Sequence, residues 1–188
     1  YYLYAIIICP SGQGGQYNNH DDEYNGQEIQ VVERALILAK SIYNIDTARV
    51  YLMGFSWGGR ETIHYGLDHY KLFKGLIPFA PAFQSIADAN NGFAIPWANP
   101  FKYTNGKYIP TCICVGKNDG MYSNIIQGYN NLVSANAIVN FNEIPGVGHT
   151  PVFPTFNLEI MKCFNFINKS STSGLADNLP SDNILSLY

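Results

Sequence analysis

Residues 49–60 read Arg49-Val50-Tyr51-Leu52-Met53-Gly54-Phe55-Ser56-Trp57-Gly58-Gly59-Arg60. A short run of strand character, 49–53, passes into Gly-x-Ser-x-Gly, and helix-compatible residues follow to about Leu67. That is the layout of a nucleophile elbow. The bend is tight enough that Ser56 is expected in a strained backbone conformation. Side chains at Gly54 and Gly58 are expected to collide across it, and Gly59 to let the helix lie close on the sheet. The strain projects the Ser56 hydroxyl out of the sheet. It also aims backbone N–H groups, that of Trp57 first, at a point where an oxyanion would be held. The rival reading is a glycine-rich strand-to-helix turn of some other α/β protein.

Upstream, Tyr2–Cys9 is a continuous apolar run rich in β-branched residues. It reads as a strand buried on both faces of a parallel sheet, in a chain whose first strands are missing. Pro10–Asn19 is a loop whose Gly12, Gly14 and Gly15 invite a phosphate-binding reading. No Gly-Lys-Ser/Thr follows, however, and Tyr17 stands where a dinucleotide fingerprint needs glycine, so a nucleotide site is set aside. Asn25 and Glu28 resemble a capping box ahead of a helix over 29–43 with a wide apolar stripe.

Downstream, Phe73–Phe79 and Thr111–Val115 read as buried strands and Ala137–Ile144 as an alternating one. Tyr122–Ser134 and Thr155–Asn168 read as helices. Between the first two strands, 81–110 has no period and is rich in Pro, Asn, Gly and aromatics: Phe83, Phe93, Trp97, Phe101, Tyr103 and Tyr108. It is either a lid or substrate-binding wall at the carboxyl ends of the strands, or a surface excursion packed by its own aromatics. In the first case Trp57 and Trp97 are the candidate substrate-binding side chains. Strands alternating with helices predict an α/β fold, a mostly parallel sheet with helices on both faces.

The chain has 188 residues, of which 47% are hydrophobic and 13% charged, with a net charge of −3. This is enough for one domain with a core. There is no basic run, which argues against nucleic acid. No apolar stretch approaches the roughly 20 residues of a membrane helix. Cys112 and Cys114 alternate along one strand and share a face. With Cys9 and Cys163 they complete the four cysteines. They read as small buried residues or as one disulfide of undetermined pairing, and no metal-ligand spacing is found. No cofactor is implied.

Acyl transfer by serine needs a base for the hydroxyl proton, a carboxylate to hold that base, and N–H donors for the oxyanion. The chain offers Ser56 after the strand at 49–53, Asp119 in the loop after Thr111–Val115, and His149 after Ala137–Ile144. Gly148 is expected to clear the way for the imidazole. Each residue alone has a duller explanation, Asp119 as a turn former and His149 as a solvated loop residue. Placement after three strands joins them. Asp88 is a rival acid, and His20, His64 and His69 fall in a polar loop or on the helix after the elbow. Trp57 supplies one oxyanion donor. The second comes from Ser11 or Gly12 if Tyr2–Cys9 is the strand before the donor loop, or from upstream of residue 1 if it is the next strand along. The second placement fits better, because a helix and one strand separate this run from the elbow.

Tyr43-Asn44-Ile45-Asp46-Thr47-Ala48-Arg49-Val50-Tyr51, leading into Gly54-Phe55-Ser56-Trp57-Gly58-Gly59, resembles the elbow region of feruloyl-esterase and polyhydroxybutyrate-depolymerase-like esterases. Dienelactone-hydrolase-like and prolyl-oligopeptidase-like enzymes are less similar. Gly116-Lys117-Asn118-Asp119 and Gly146-Val147-Gly148-His149-Thr150 match the acid and base motifs of that group. The resemblance implies an α/β-hydrolase domain over 1–168 that lacks its N-terminal strands and the upstream His-Gly oxyanion segment. It further implies a serine esterase acting on small or polymer-linked acyl esters of plant polysaccharide or polyester. A peptidase on the same machinery and a non-catalytic binding module are the alternatives. Residues 169–188 resemble a flexible linker into a secretion sorting domain of the Bacteroidetes type IX kind, which implies a secreted or cell-surface protein.

Overall fold

A computed structural model describes residues 5–9, 27–83, 101–150 and 155–172. The chain divides into two compact units, Tyr1–Asp46 and Thr47–Tyr188. In the first, helix α1 spans Gln27–Ile42, with Lys40 in its last turn, where a cation complements the helix dipole. Val32, Ala35, Leu36 and Ala39 form its less exposed side, while Leu38 and Ile42, read as part of the same stripe, are exposed. Asn25 of the expected capping box lies outside the described residues.

Ala5–Cys9 corrects the expectation of a buried strand: it takes no regular secondary structure, and all five residues are exposed. An apolar β-branched run has strand propensity, but only neighbouring strands and covering layers make it a buried strand. The run itself supplies neither.

The second unit is built on four parallel strands in the order β1-β2-β3-β4. They are β1 Tyr51–Phe55, β2 Gly75–Phe79, β3 Thr111–Gly116 and β4 Val139–Ile144. Between them and after them run α2 Trp57–Asp68, α3 Tyr122–Ser134 and α4 Phe156–Thr172, with 3₁₀ turns at Thr47–Arg49, Tyr70–Leu72 and Tyr103–Lys107. The elbow strand therefore begins at Tyr51 rather than Arg49, and the last helix continues to Thr172 rather than Asn168. Both ends are set by hydrogen bonding that local pattern does not fix.

Every residue of the central strands β2 and β3 is buried, as expected where helices cover both faces. Alternation sorts the side chains. Gly75 abuts Ile167 of α4, whereas Leu76 sits against Gly66 of α2. On β4, Asn142 bonds Glu159 of α4 at 2.5 Å, and Phe141 packs on Tyr129 of α3 with ring centroids 4.9 Å apart. Helix α4 thus lies on one face, with α2 and α3 on the other. The α4 side holds Ile77, Phe79, Cys112, Cys114, Ile144, Cys163 and Ile167. Each large apolar side chain buried there contributes about 1.5–3 kcal/mol. Tyr51 ties β1 to α4 by an edge contact with Phe164 at 4.8 Å and a hydrogen bond to Asn168 at 3.0 Å.

A bond between Cys112 and Cys163 joins β3 to α4, while Cys9 and Cys114 are free. The 3₁₀ turn at Tyr103–Lys107 is held against α2 by Asn105, whose side-chain amide donates to the Leu67 carbonyl at 2.9 Å. Among the described residues no helix is long and apolar enough to cross a membrane.

Candidate active site

Strand β1 ends at Phe55, and the chain turns at once into α2 through Ser56, at φ 56° and ψ −114°. A non-glycine residue at positive φ costs roughly 1–2 kcal/mol, so surrounding bonds must hold it. The Ser56 N–H donates to the Phe79 carbonyl at 2.9 Å, and the Ser56 carbonyl accepts from the Arg60 N–H at 3.0 Å. A serine before a helix usually spends its hydroxyl capping the first turn. Ser56 does not, and its Oγ lies 3.0 Å from His149 Nε2 instead.

The glycines divide unequally. A Cβ at Gly54 would overlap the Gly58 carbonyl, and one at Gly59 would come within 2.7 Å of the Phe79 carbonyl, so both close approaches require glycine. The expectation for Gly58 is corrected: a Cβ there meets nothing within 4 Å among the described residues. Its side-chain direction points to solvent, and it is its carbonyl that crowds Gly54. Just below the elbow, Ala80 also has positive φ, at 43°. Its N–H reaches the Cys114 carbonyl at 2.7 Å, which pins the end of β2 beneath Ser56.

Asp119 follows β3, and its side chain is fully buried. A buried carboxylate must be paired. One oxygen accepts from the Met121 N–H at 2.8 Å, and the other lies 2.8 Å from His149 Nδ1. A carboxylate only accepts, so Nδ1 carries the proton and Nε2 is left to receive the Ser56 hydroxyl. The imidazole is 36% exposed, which leaves it reachable from solvent, and it rests against Phe55 with ring centroids 4.9 Å apart.

Strands β1 and β4 lie at opposite edges of the four-stranded sheet, about 14 Å apart at three strand spacings. The His149 loop must therefore reach back across β3 and β2. Backbone bonds to the acid loop set its course: Lys117 N–H to the Ile144 carbonyl at 2.9 Å and Asn118 N–H to the Val147 carbonyl at 2.8 Å. This approach leaves no room at Gly116, where a Cβ would overlap the Val147 carbonyl. The steric role expected of Gly148 belongs to Gly116, since a Cβ at Gly148 finds only the Asn118 carbonyl, at an ordinary 3.7 Å. At the surface the Lys117 ammonium donates to Glu143 at 2.8 Å and to the Tyr122 hydroxyl at 3.1 Å. The bond to Glu143 raises the Lys117 pKa, and the same bond lowers that of Glu143. Tyr122 OH also bonds Glu143.

Trp57 heads α2, where leading N–H groups find no carbonyl within their own helix. Its ring lies under the Arg60 guanidinium, 5.2 Å from the centroid. Trp97, Asp88, His20, Ser11 and Gly12 fall outside the described residues. Of the remaining aromatics in 81–110, Phe83, Phe101 and Tyr103 pack on one another, and Phe101 meets His64 edge-on at 5.6 Å. Phe93 and the rest of 84–100, on which the two readings of this segment differ, lie outside the described residues. His69 lies against Tyr65 at 4.2 Å. What the sequence missed is the convergence of Cys112, Cys114 and Cys163, whose sulfurs lie within 4.8 Å of one another. The shared face of the first two was legible, but their partner stands 51 residues beyond Cys112.

No protein-family model matches the chain, and neither does any curated protein. Solved structures do. S-formylglutathione hydrolase of Staphylococcus aureus is 15% identical, with a TM-score of 0.56 over 81% of this chain and 62% of its own. Fluorophosphonate-binding serine hydrolase F of the same organism is 17% identical, with a TM-score of 0.57 over 74% of this chain and 63% of its own. A ferulic acid esterase is 17% identical, with a TM-score of 0.59 over 76% of this chain and 60% of its own. The chain thus spans about three fifths of each of these proteins. These likenesses identify the fold as the α/β-hydrolase fold.

Proposed function

We propose that the chain is the catalytic core of a serine hydrolase that cleaves carboxylic esters. One observation carries the reading: a single relay runs from the Ser56 hydroxyl through both nitrogens of His149 to the buried Asp119, with links of 3.0 and 2.8 Å. In this reading His149 Nε2 takes the hydroxyl proton as Ser56 Oγ attacks the acyl carbon. The carbonyl oxygen becomes an oxyanion beside the Trp57 N–H. Collapse expels the alcohol, which takes the proton from His149 and leaves an acyl-enzyme. Water, activated by the same nitrogen, then releases the acid. Asp119 keeps the imidazole in the tautomer both steps use and stabilises the imidazolium between them.

The structural likeness to a ferulic acid esterase supports ferulic acid esters as substrates, and the proposal extends to acyl groups linked to plant polysaccharide or polyester. A bond between Cys112 and Cys163 suits an oxidising compartment and supports a secreted or cell-surface location. Substrate panels on the full-length protein test the reading. Hydrolysis of p-nitrophenyl acyl esters and feruloyl sugar esters is expected, with aminoacyl anilides left uncut. Cleavage of the anilides alone would make it a peptidase, and turnover of neither would make it a binding module.

A further inference from the structure

The three sulfurs in the α4-side core do more than form one bond. Cys112 and Cys114 stand two apart on β3, so both point at α4, and Cys163 approaches between them. It is bonded to Cys112, yet its Sγ is only 3.3 Å from Cys114 Sγ. Strand β4 treats the two β3 cysteines alike. Asn140 is paired with Cys112 and Asn142 with Cys114, and each side-chain amide donates to its own cysteine sulfur at 3.6 Å. An N–H donor therefore waits for whichever sulfur is left unbonded, and such a donor stabilises a thiolate.

We propose that Cys163 is shared between two partners, and that the core disulfide exchanges between Cys112–Cys163 and Cys114–Cys163. Cys114 loses its proton, and its thiolate attacks Cys163 Sγ. The Cys114–Cys163 bond forms as the Cys112–Cys163 bond breaks. The electron pair leaves on Cys112 Sγ, which then takes up a proton. No electrons are gained or lost, so no external oxidant or reductant is required. Burial holds the Cys114 thiol up at about 12. The titratable groups facing it are Glu159 and Lys162 on α4, joined to it through Asn142, while β2 presents only Ile77 and Phe79. The thiolate is therefore scarce at neutral pH, and exchange quickens about tenfold per pH unit below that value. The two isomers link the strand that leads to Asp119 with the helix that follows His149 at different points.

Mapping on the full-length protein tests this. Samples are alkylated under denaturing acid-quenched conditions, digested without reduction and fragmented. In Cys112→Ser, loss of the native cross-link is expected to be matched by gain of a Cys114–Cys163 cross-link, while Cys114→Ser keeps Cys112–Cys163. Alkylation of both Cys114 and Cys163 in Cys112→Ser, with the bond intact in Cys114→Ser, overturns the proposal. Should Cys112→Ser fail to fold, the protein with all three core cysteines decides. After holding the otherwise unsubstituted protein at pH 9 in a Cys9→Ser background, which removes the exposed free thiol, label is expected at Cys112 as well as Cys114, and label at Cys114 alone among the three core cysteines at every time overturns it.

Discussion

Ser56→Ala is expected to lower ester hydrolysis by the full-length protein on the order of 10⁶-fold, with substrate binding little changed. The size follows from the proposed reaction, in which Ser56 Oγ is the atom that forms the acyl-enzyme. His149 and Asp119 would remain in place, but a general base without its nucleophile gives back little of the rate. The residual activity would be that of the oxyanion donors and of binding alone. Folding should survive. The Ser56 backbone is held by the Phe79 carbonyl and the Arg60 N–H, neither of which involves the hydroxyl, and that hydroxyl caps nothing. Steady-state kinetics beside thermal unfolding make the check: a large loss of kcat with an unmoved Tm.

Asp119→Asn is expected to cost about 10⁴-fold in kcat by a different route. Asparagine keeps the shape and can still accept the Met121 N–H, now at 2.8 Å from Oδ1. Its amide, however, can turn an N–H toward His149 Nδ1, 2.8 Å from the present Oδ2. That forces the proton onto Nε2, where it points at Ser56 Oγ and blocks proton uptake. The imidazolium also loses its negative neighbour. Asp119→Glu distinguishes tautomer from mere damage. It restores an acceptor at the cost of an extra methylene in a fully buried site, so partial recovery over Asp119→Asn is expected. Kinetics of the two variants, each shown folded by circular dichroism, check this.

The fold was legible where burial and chemistry agreed locally. β2 and β3 are continuous apolar runs because both faces are covered, and the Gly54 and Gly59 approaches are local consequences of the bend at Ser56. The order of the three loop residues could be read because each sits in a loop closing its own strand. What makes Asp119 and His149 neighbours could not. That depends on Gly116 and Val147, thirty-odd positions apart, whose backbones meet only once β3 and β4 pair, at roughly 4.8 Å. The misreading of Ala5–Cys9 has the same origin. Propensity lies in its own residues, but pairing lies in others. Gly58 and Gly148 were assigned steric roles from their place in a motif, yet a Cβ clash is decided by direction, and their directions are open. The sharing of Cys163 needed the α4 crossing over β3, which no spacing encodes.

The relay itself is tested most directly by exposing the full-length protein to a fluorophosphonate probe and mapping the adduct by peptide mass. The account predicts that a single serine, Ser56, is phosphonylated at Oγ as fluoride leaves the probe, and that no adduct forms in His149→Ala, where the hydroxyl has no base. An unmodified Ser56, or equal labelling of Ser56 after His149→Ala, would contradict it.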